Sequence, residues 1–115
     1  MCSSLKTEEN LRVASLIPLD RLLLETDAPW CDIRPTHASW KYLCESSAMW
    51  EDQWIQPVSY KKEKFVDGSM VKGRNEPCMM RSVLRVVSRL RGLPESDLSD
   101  IVWKNTQTLF FPHEL

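Results

Sequence analysis

The run Arg21-Leu22-Leu23-Leu24-Glu25-Thr26-Asp27-Ala28-Pro29-Trp30 does most to limit how this chain can fold. A short, continuous apolar segment that ends abruptly in acidic residues and a proline reads as a strand over about residues 20–26, buried on both faces as in a parallel sheet. Period-two alternation puts Leu23, Glu25 and Asp27 on one face, with Leu22, Leu24 and Thr26 on the other. Parallel sheets place ligands and catalytic groups at the carboxyl ends of their strands, so Asp27 stands where a metal ion or substrate can reach it. Pro29 stops the ladder. On pattern alone the same carboxylate has a second reading, as a cap of the turn before Pro29.

At 115 residues, 43% of them hydrophobic, the chain is long enough for one small domain, and a formal charge of −1 gives no global attraction to nucleic acid or anionic membrane. No apolar run approaches the ~18 residues of a membrane span. Met1 to Asn10 lacks the apolar core of a secretory signal, and the expectation is a soluble intracellular protein without a membrane partner. Cys2, Cys31, Cys44 and Cys78 show no C-x-x-C spacing. Reduced thiols are therefore expected over a zinc site built from Cys31, His37, Cys44 and Cys78.

Residues 7–16 read as a short helix, capped by Thr7, with Glu8 and Glu9 at its positive end and Leu11, Ala14 and either Ser15 or Leu16 facing inward. From Cys31 to Gly73 the pattern dissolves into a long loop with scattered aromatic residues and the basic cluster Lys61, Lys62 and Lys64; only residues 36–50 suggest a helix. Order returns with a helix over 77–91, opened by Pro77, capped by Asn75 or Glu76, and ended by Gly92. Its apolar face is Met80, Val83, Leu84, Val87 and Leu90, and Arg81, Arg85 and Arg89 read as its solvent side. A last helix over 94–110 has Leu98, Ile101, Val102, Asn105 and Leu109 as its inner stripe.

The tally is one strong strand and three or four helices. A lone apolar strand leaves peptide groups unpaired on both edges, at about 1–3 kcal/mol for each one that is buried. Its two faces also need covering layers. The best second strand, Met70-Val71, is short. These residues read as part of a larger α/β domain.

Four motifs carry a resemblance. Glu25-Thr26-Asp27-Ala28-Pro29-Trp30-Cys31, Pro35-Thr36-His37-Ala38, Lys72-Gly73-Arg74-Asn75-Glu76-Pro77-Cys78, and Asn105-Thr106 with Leu109-Phe110-Phe111-Pro112 occur in the order found in the TatD-related deoxyribonucleases. The chain most resembles the eukaryotic cytosolic or nuclear branch of that family. The resemblance implies an α/β fold that is the C-terminal segment of a (β/α)₈ TIM barrel of metal-dependent hydrolases. In it, residues 20–26 correspond to the eighth strand and residues 31–73 to a loop on the catalytic face.

The implied activity is divalent-metal-dependent, 3'-5' exonucleolytic hydrolysis of DNA, with Mg²⁺ as the implied cofactor and DNA as the partner. In such an enzyme the metals activate a water and stabilise charge on the phosphodiester. Asp27 matches the family's last metal ligand. The other five ligands have no counterpart in this chain, so the chain alone is expected to be inactive. The alternative is a non-catalytic truncated product, acting as an interaction module that docks on a full-length relative or binds single-stranded DNA.

Other candidates follow from these motifs. Glu25 is either a group that orients Asp27 or a water-bridged partner of a base on the barrel floor; the first is favoured, since a buried carboxylate needs such a partner. His37 either touches the substrate phosphate or is a loop histidine bonded to backbone. Arg74 and Asn75 lie in the motif that re-enters the helix. Arg74 either binds phosphate or, with the balance of the argument, pins the loop through Glu76. Lys61, Lys62 and Lys64, near Trp54, Tyr60 and Phe65, are either a nucleic-acid surface or a solvated face.

Overall fold

The computed structural model describes residues 5–44 and 57–114. Helix α1 (Glu8–Leu16) opens with a reciprocal cap, in which Asn10 N donates to Thr7 Oγ1 at 3.1 Å and Thr7 N donates to Asn10 Oδ1 at 3.3 Å. Two otherwise orphaned amides are thereby satisfied. Leu11 and Ala14 are buried, while Leu16 is exposed and Ile17 packs on the core instead. The helix has ended by that point, and Ile17 is extended (φ −65, ψ 126), so its side chain no longer follows the helical face.

Helix α2 (Trp40–Cys44) is the described part of the helix expected over 36–50; residues 45–50, and Trp54 further on, lie outside the described residues. A 3₁₀ turn at Pro77–Met79 leads into α3 (Met80–Arg91). Gly92 stops it at φ 66, where its own N–H turns back to the Arg89 and Ser88 carbonyls. Helix α4 (Glu95–Phe110) follows Pro94 directly.

The core is formed by Leu5, Leu11, Ala14, Leu22, Val83, Val86, Val87 and Leu98. The buried face of α3 centres on Val83, Val86 and Val87, with Met80, Leu84 and Leu90 at its margin. The arginine row of α3 is a correction to the expected solvent face. Arg85 Nε donates to Glu95 Oε1 at 2.9 Å and Arg81 Nη2 donates to Glu95 Oε2 at 3.3 Å, while Arg89 donates to the Tyr42 carbonyl. Helices α4 and α2 lie across that face, so the arginines fasten them. Leu109, assigned to the inner stripe of α4, is exposed, because the far turns of α4 run past the core.

Two short strands, β1 (Ser59–Tyr60) and β2 (Met70–Val71), pair in parallel with Ser59 opposite Met70. The segment read as a strong strand over about 20–26 differs from that expectation. Leu19–Arg21 form a 3₁₀ turn, and residues 22–27 join no ladder among the described residues. Strand structure requires a neighbouring backbone, and none among the described residues pairs with this segment. The side-chain alternation is nevertheless present: Leu22 is buried and Leu24 packs on the core, whereas Glu25 and Asp27 are exposed. One face of the segment meets the helices, and on the other Leu23 is half-buried beside α4 while the two carboxylates are exposed.

Candidate functional site

Asp27 sits on a turn assembled from both directions of the chain. Its backbone is left-handed (φ 54), a conformation that aspartate tolerates better than most residues, and Cys31 shares it (φ 65). Trp30 N donates to the Asp27 carbonyl at 2.9 Å, and Ala28 N donates to Thr26 Oγ1 at 3.3 Å. Two left-handed residues so close together cost on the order of 1–3 kcal/mol each and persist only where the surroundings hold them.

Asn75 does the holding. It is 5% exposed, and its Nδ2 donates to the Thr26 carbonyl at 3.0 Å and to the Trp30 carbonyl at 2.9 Å. Its backbone N donates to the Pro29 carbonyl at 3.0 Å, and its Oδ1 accepts from Glu76 N at 3.0 Å. One residue thus fastens both sides of the turn that projects Asp27. Arg74 points elsewhere, with Nη2 3.0 Å from Glu76 Oε1.

A second amide fixes the other end of the segment. Asn105 Nδ2 donates to the Leu19 and Leu22 carbonyls at 2.7 and 2.9 Å. Arg91 Nη1 likewise donates to the Ala14 and Ile17 carbonyls at 3.1 and 2.7 Å, at the negative end of α1. Neither residue was singled out for this work from the sequence. The available signal was an amide inside an apolar helical stripe, which must spend its hydrogen bonds on something buried.

His37 accepts a hydrogen bond at Nδ1 from Arg34 N at 3.1 Å, and its backbone N donates to the Arg34 carbonyl at 2.9 Å. Burial lowers its pKa, and the nearby Lys6 and Arg34 charges lower it further against the opposing pull of Asp32. The neutral imidazole is the form that this loop uses. Lys61, Lys62 and Lys64 are exposed on the connection between β1 and β2.

The donor set does not by itself make a divalent-metal site. No three His, Cys, Asp or Glu residues cluster among the described residues. An octahedral ion held by one carboxylate lacks the rest of its ligands. Cys31, Cys44 and Cys78 form no disulfide and build no zinc site with His37.

The family model for TatD related DNase matches residues 2–111, and the chain belongs to that family. It is 47% identical over 113 residues to "Deoxyribonuclease Tat-D" of Saccharomyces cerevisiae, covering 93% of this chain and 27% of the relative. It is 44% identical over 106 residues to "Deoxyribonuclease Tat-D" of Schizosaccharomyces pombe, covering 92% and 31%. To "3'-5' ssDNA/RNA exonuclease TatD" of Erwinia amylovora it is 30% identical over 113 residues, covering 96% and 31%. The chain therefore spans roughly a third or less of the length of these relatives.

A crystal structure described as an uncharacterized amidohydrolase from Saccharomyces cerevisiae superposes with a TM-score of 0.83 at 46% identity, covering 95% of this chain and 32% of that one. A TatD family hydrolase from Entamoeba histolytica superposes at 0.81 and 32% identity, covering 96% and 34%. The fold is thus an α/β segment of the family's TIM barrel. No helix among the described residues is long and apolar enough to cross a membrane.

Proposed function

We propose that this chain supplies the C-terminal portion of a divalent-metal-dependent deoxyribonuclease, in which Asp27 is one metal ligand, and that the chain alone does not hydrolyse DNA. The observation that carries the reading is the Asp27 turn. Asn75 fastens it on both sides, and the Asp27 side chain it carries is exposed. Such a carboxylate is built to be shared with other elements. The superposition on about a third of longer relatives supports the same view.

Within that reading, the substrate is DNA and the ion is Mg²⁺, as the resemblance to the family implies. The name of the bacterial relative supports 3'-5' polarity. Resemblance to the eukaryotic branch supports a cytoplasmic or nuclear setting. Glu25, on the same face as Asp27, is the neighbouring acid that orients it. Asn75 acts through backbone and is a positioning residue; His37 and Arg74 are spent on Arg34 N and Glu76, and so hold the loops around the turn.

The test is direct. The purified chain, supplied with Mg²⁺ or Mn²⁺ and a labelled DNA strand, is expected to leave it intact. Cleavage that disappears in Asp27→Ala would show that the chain is an enzyme on its own and overturn the second half of the proposal.

A further inference from the structure

We infer that the connection between β1 and β2 is a track for single-stranded DNA leading to the Asp27 turn, with Lys61, Lys62 and Lys64 on phosphates and Tyr60 and Phe65 stacking on bases. The inference deepens the proposed function and rests on it for the direction of the strand.

Arg34 pairs with Asp32, Lys41 with Glu8, Arg74 with Glu76, and both Arg81 and Arg85 with Glu95. Lys61, Lys62 and Lys64, like Lys6, Arg12, Arg21, Lys72 and Lys104, pair with no acid among the described residues, but these three are grouped, all exposed on one short turn closed by Lys64 N donating to the Lys61 carbonyl at 2.8 Å. Glu63 and Asp67 leave the connection with a net positive charge. Three cations held on a compact turn suit a backbone of spaced phosphates.

Aromatic rings flank the lysines. Tyr60 is 40% exposed and Phe65 is 51% exposed, one on each side of the lysines. A turn that served only as a solvated charged face would gain nothing from large rings in water, where exposed apolar surface costs free energy. Exposed rings between cations are the arrangement by which unpaired bases are gripped without regard to sequence. A duplex hides its base faces in the stack, so the fit is to single strands.

The connection is also tied to the Asp27 turn. Tyr60 and Lys72 are joined by Lys72 N donating to the Tyr60 carbonyl at 2.9 Å, which anchors the connection at its base. Ser59, Met70 and Val71 line a cavity of about 80 Å³ together with Cys31 and Asp32, just past the Asp27 turn in sequence. From β2 the chain passes through Gly73 (φ 82) straight to Asn75, which clamps that turn. The basic-aromatic connection and the carboxylate are therefore fixed to one another by a short path of backbone.

The experiment is fluorescence anisotropy of a fluorescein-labelled oligo(dT) titrated with the full chain in EDTA at several salt concentrations. Wild-type chain is expected to bind at low salt. Lys61→Ala/Lys62→Ala/Lys64→Ala is expected to reduce the slope of log affinity against log salt by about 2, at roughly 0.7 for each lost phosphate contact on a single strand. Tyr60→Ala/Phe65→Ala is expected to weaken binding about tenfold while leaving the slope in place. Replacing the three lysines with arginine retains the slope. These side chains are exposed, so circular dichroism should be unchanged in every variant. No wild-type binding at low salt, an unchanged slope in the triple variant, or tighter binding of duplex would each overturn the inference. EDTA removes metal chemistry from the readout, so the result is separable from the cleavage test of Asp27.

Discussion

The Asn75 side-chain amide donates to the Thr26 carbonyl at 3.0 Å, across a sequence separation of 49 residues. The two lie at opposite ends of the long connection, and this bond, with the companion bond to the Trp30 carbonyl, closes it over the turn that carries Asp27. The backbone that carries the Asp27 carboxylate is thus held in place by a residue that precedes α3.

Replacing Asn75 should loosen that turn. Asn75→Ala removes both donors from part-buried carbonyls and should cost about 2 kcal/mol, since each abandoned buried acceptor costs on the order of 1–3 kcal/mol. Asn75→Asp should be at least as harmful, because it aims a carboxylate at two carbonyl oxygens. Urea unfolding gives the magnitude. Amide hydrogen exchange at Trp30 N, which donates to Asp27 O, gives the location; equal exchange in wild type and Asn75→Ala would contradict the clamp.

Glu95 joins α3 to α4 and should be costly to remove. It is 9% exposed and accepts from both Arg81 and Arg85. Glu95→Ala leaves the mostly buried Arg85 guanidinium without this partner, and should destabilise by about 3–5 kcal/mol, the range of a broken buried ion pair. Arg81→Ala should cost less, because that side chain is 41% exposed. Equal losses in the two variants, measured by thermal or urea unfolding, would contradict this ranking.

Acidification should weaken the 34–38 loop through His37. Its folded pKa lies below the value of a solvated imidazole, about 6.5. The folded state therefore binds fewer protons than the unfolded chain between the lowered pKa and that value. The stabilising contribution is complete above about pH 6.5 and is lost as pH falls through the folded pKa. Urea midpoints measured across that window should fall more steeply for wild type than for His37→Gln. Parallel curves would show that His37 contributes nothing to the dependence.

The helices were legible because their signals are local. Thr7 and Asn10 cap α1, Pro77 and Gly92 bracket the 77–91 stretch, and the Val83/Val87 periodicity marks its inner face. Asp27 stood out because an apolar run ended in it. The solvent side of α3 was misread because an arginine row gives the same pattern whether it faces water or a neighbouring helix with a buried Glu95. The 20–26 segment shows the complementary limit. Its alternation of side chains is written in the sequence, whereas ladder formation depends on a neighbouring backbone, and none among the described residues pairs with residues 22–27. The clamps from Asn75, Asn105 and Arg91 escaped notice because each joins positions at least 45 residues apart, and periodicity carries no information at that range.

The proposed role of Asp27, as one metal ligand of a larger deoxyribonuclease, can be tested by completing the enzyme. Its most direct measurement is Mg²⁺-dependent cleavage of a labelled DNA strand by a chimera. That chimera joins this chain to the portion of the Saccharomyces cerevisiae relative that it does not cover. The account predicts cleavage by the folded chimera, none by this chain alone, and loss of at least about a hundredfold in Asp27→Ala of the chimera, the scale of removing one group from a charge-stabilising site. A folded chimera that cleaves equally well with Asp27→Ala would contradict it.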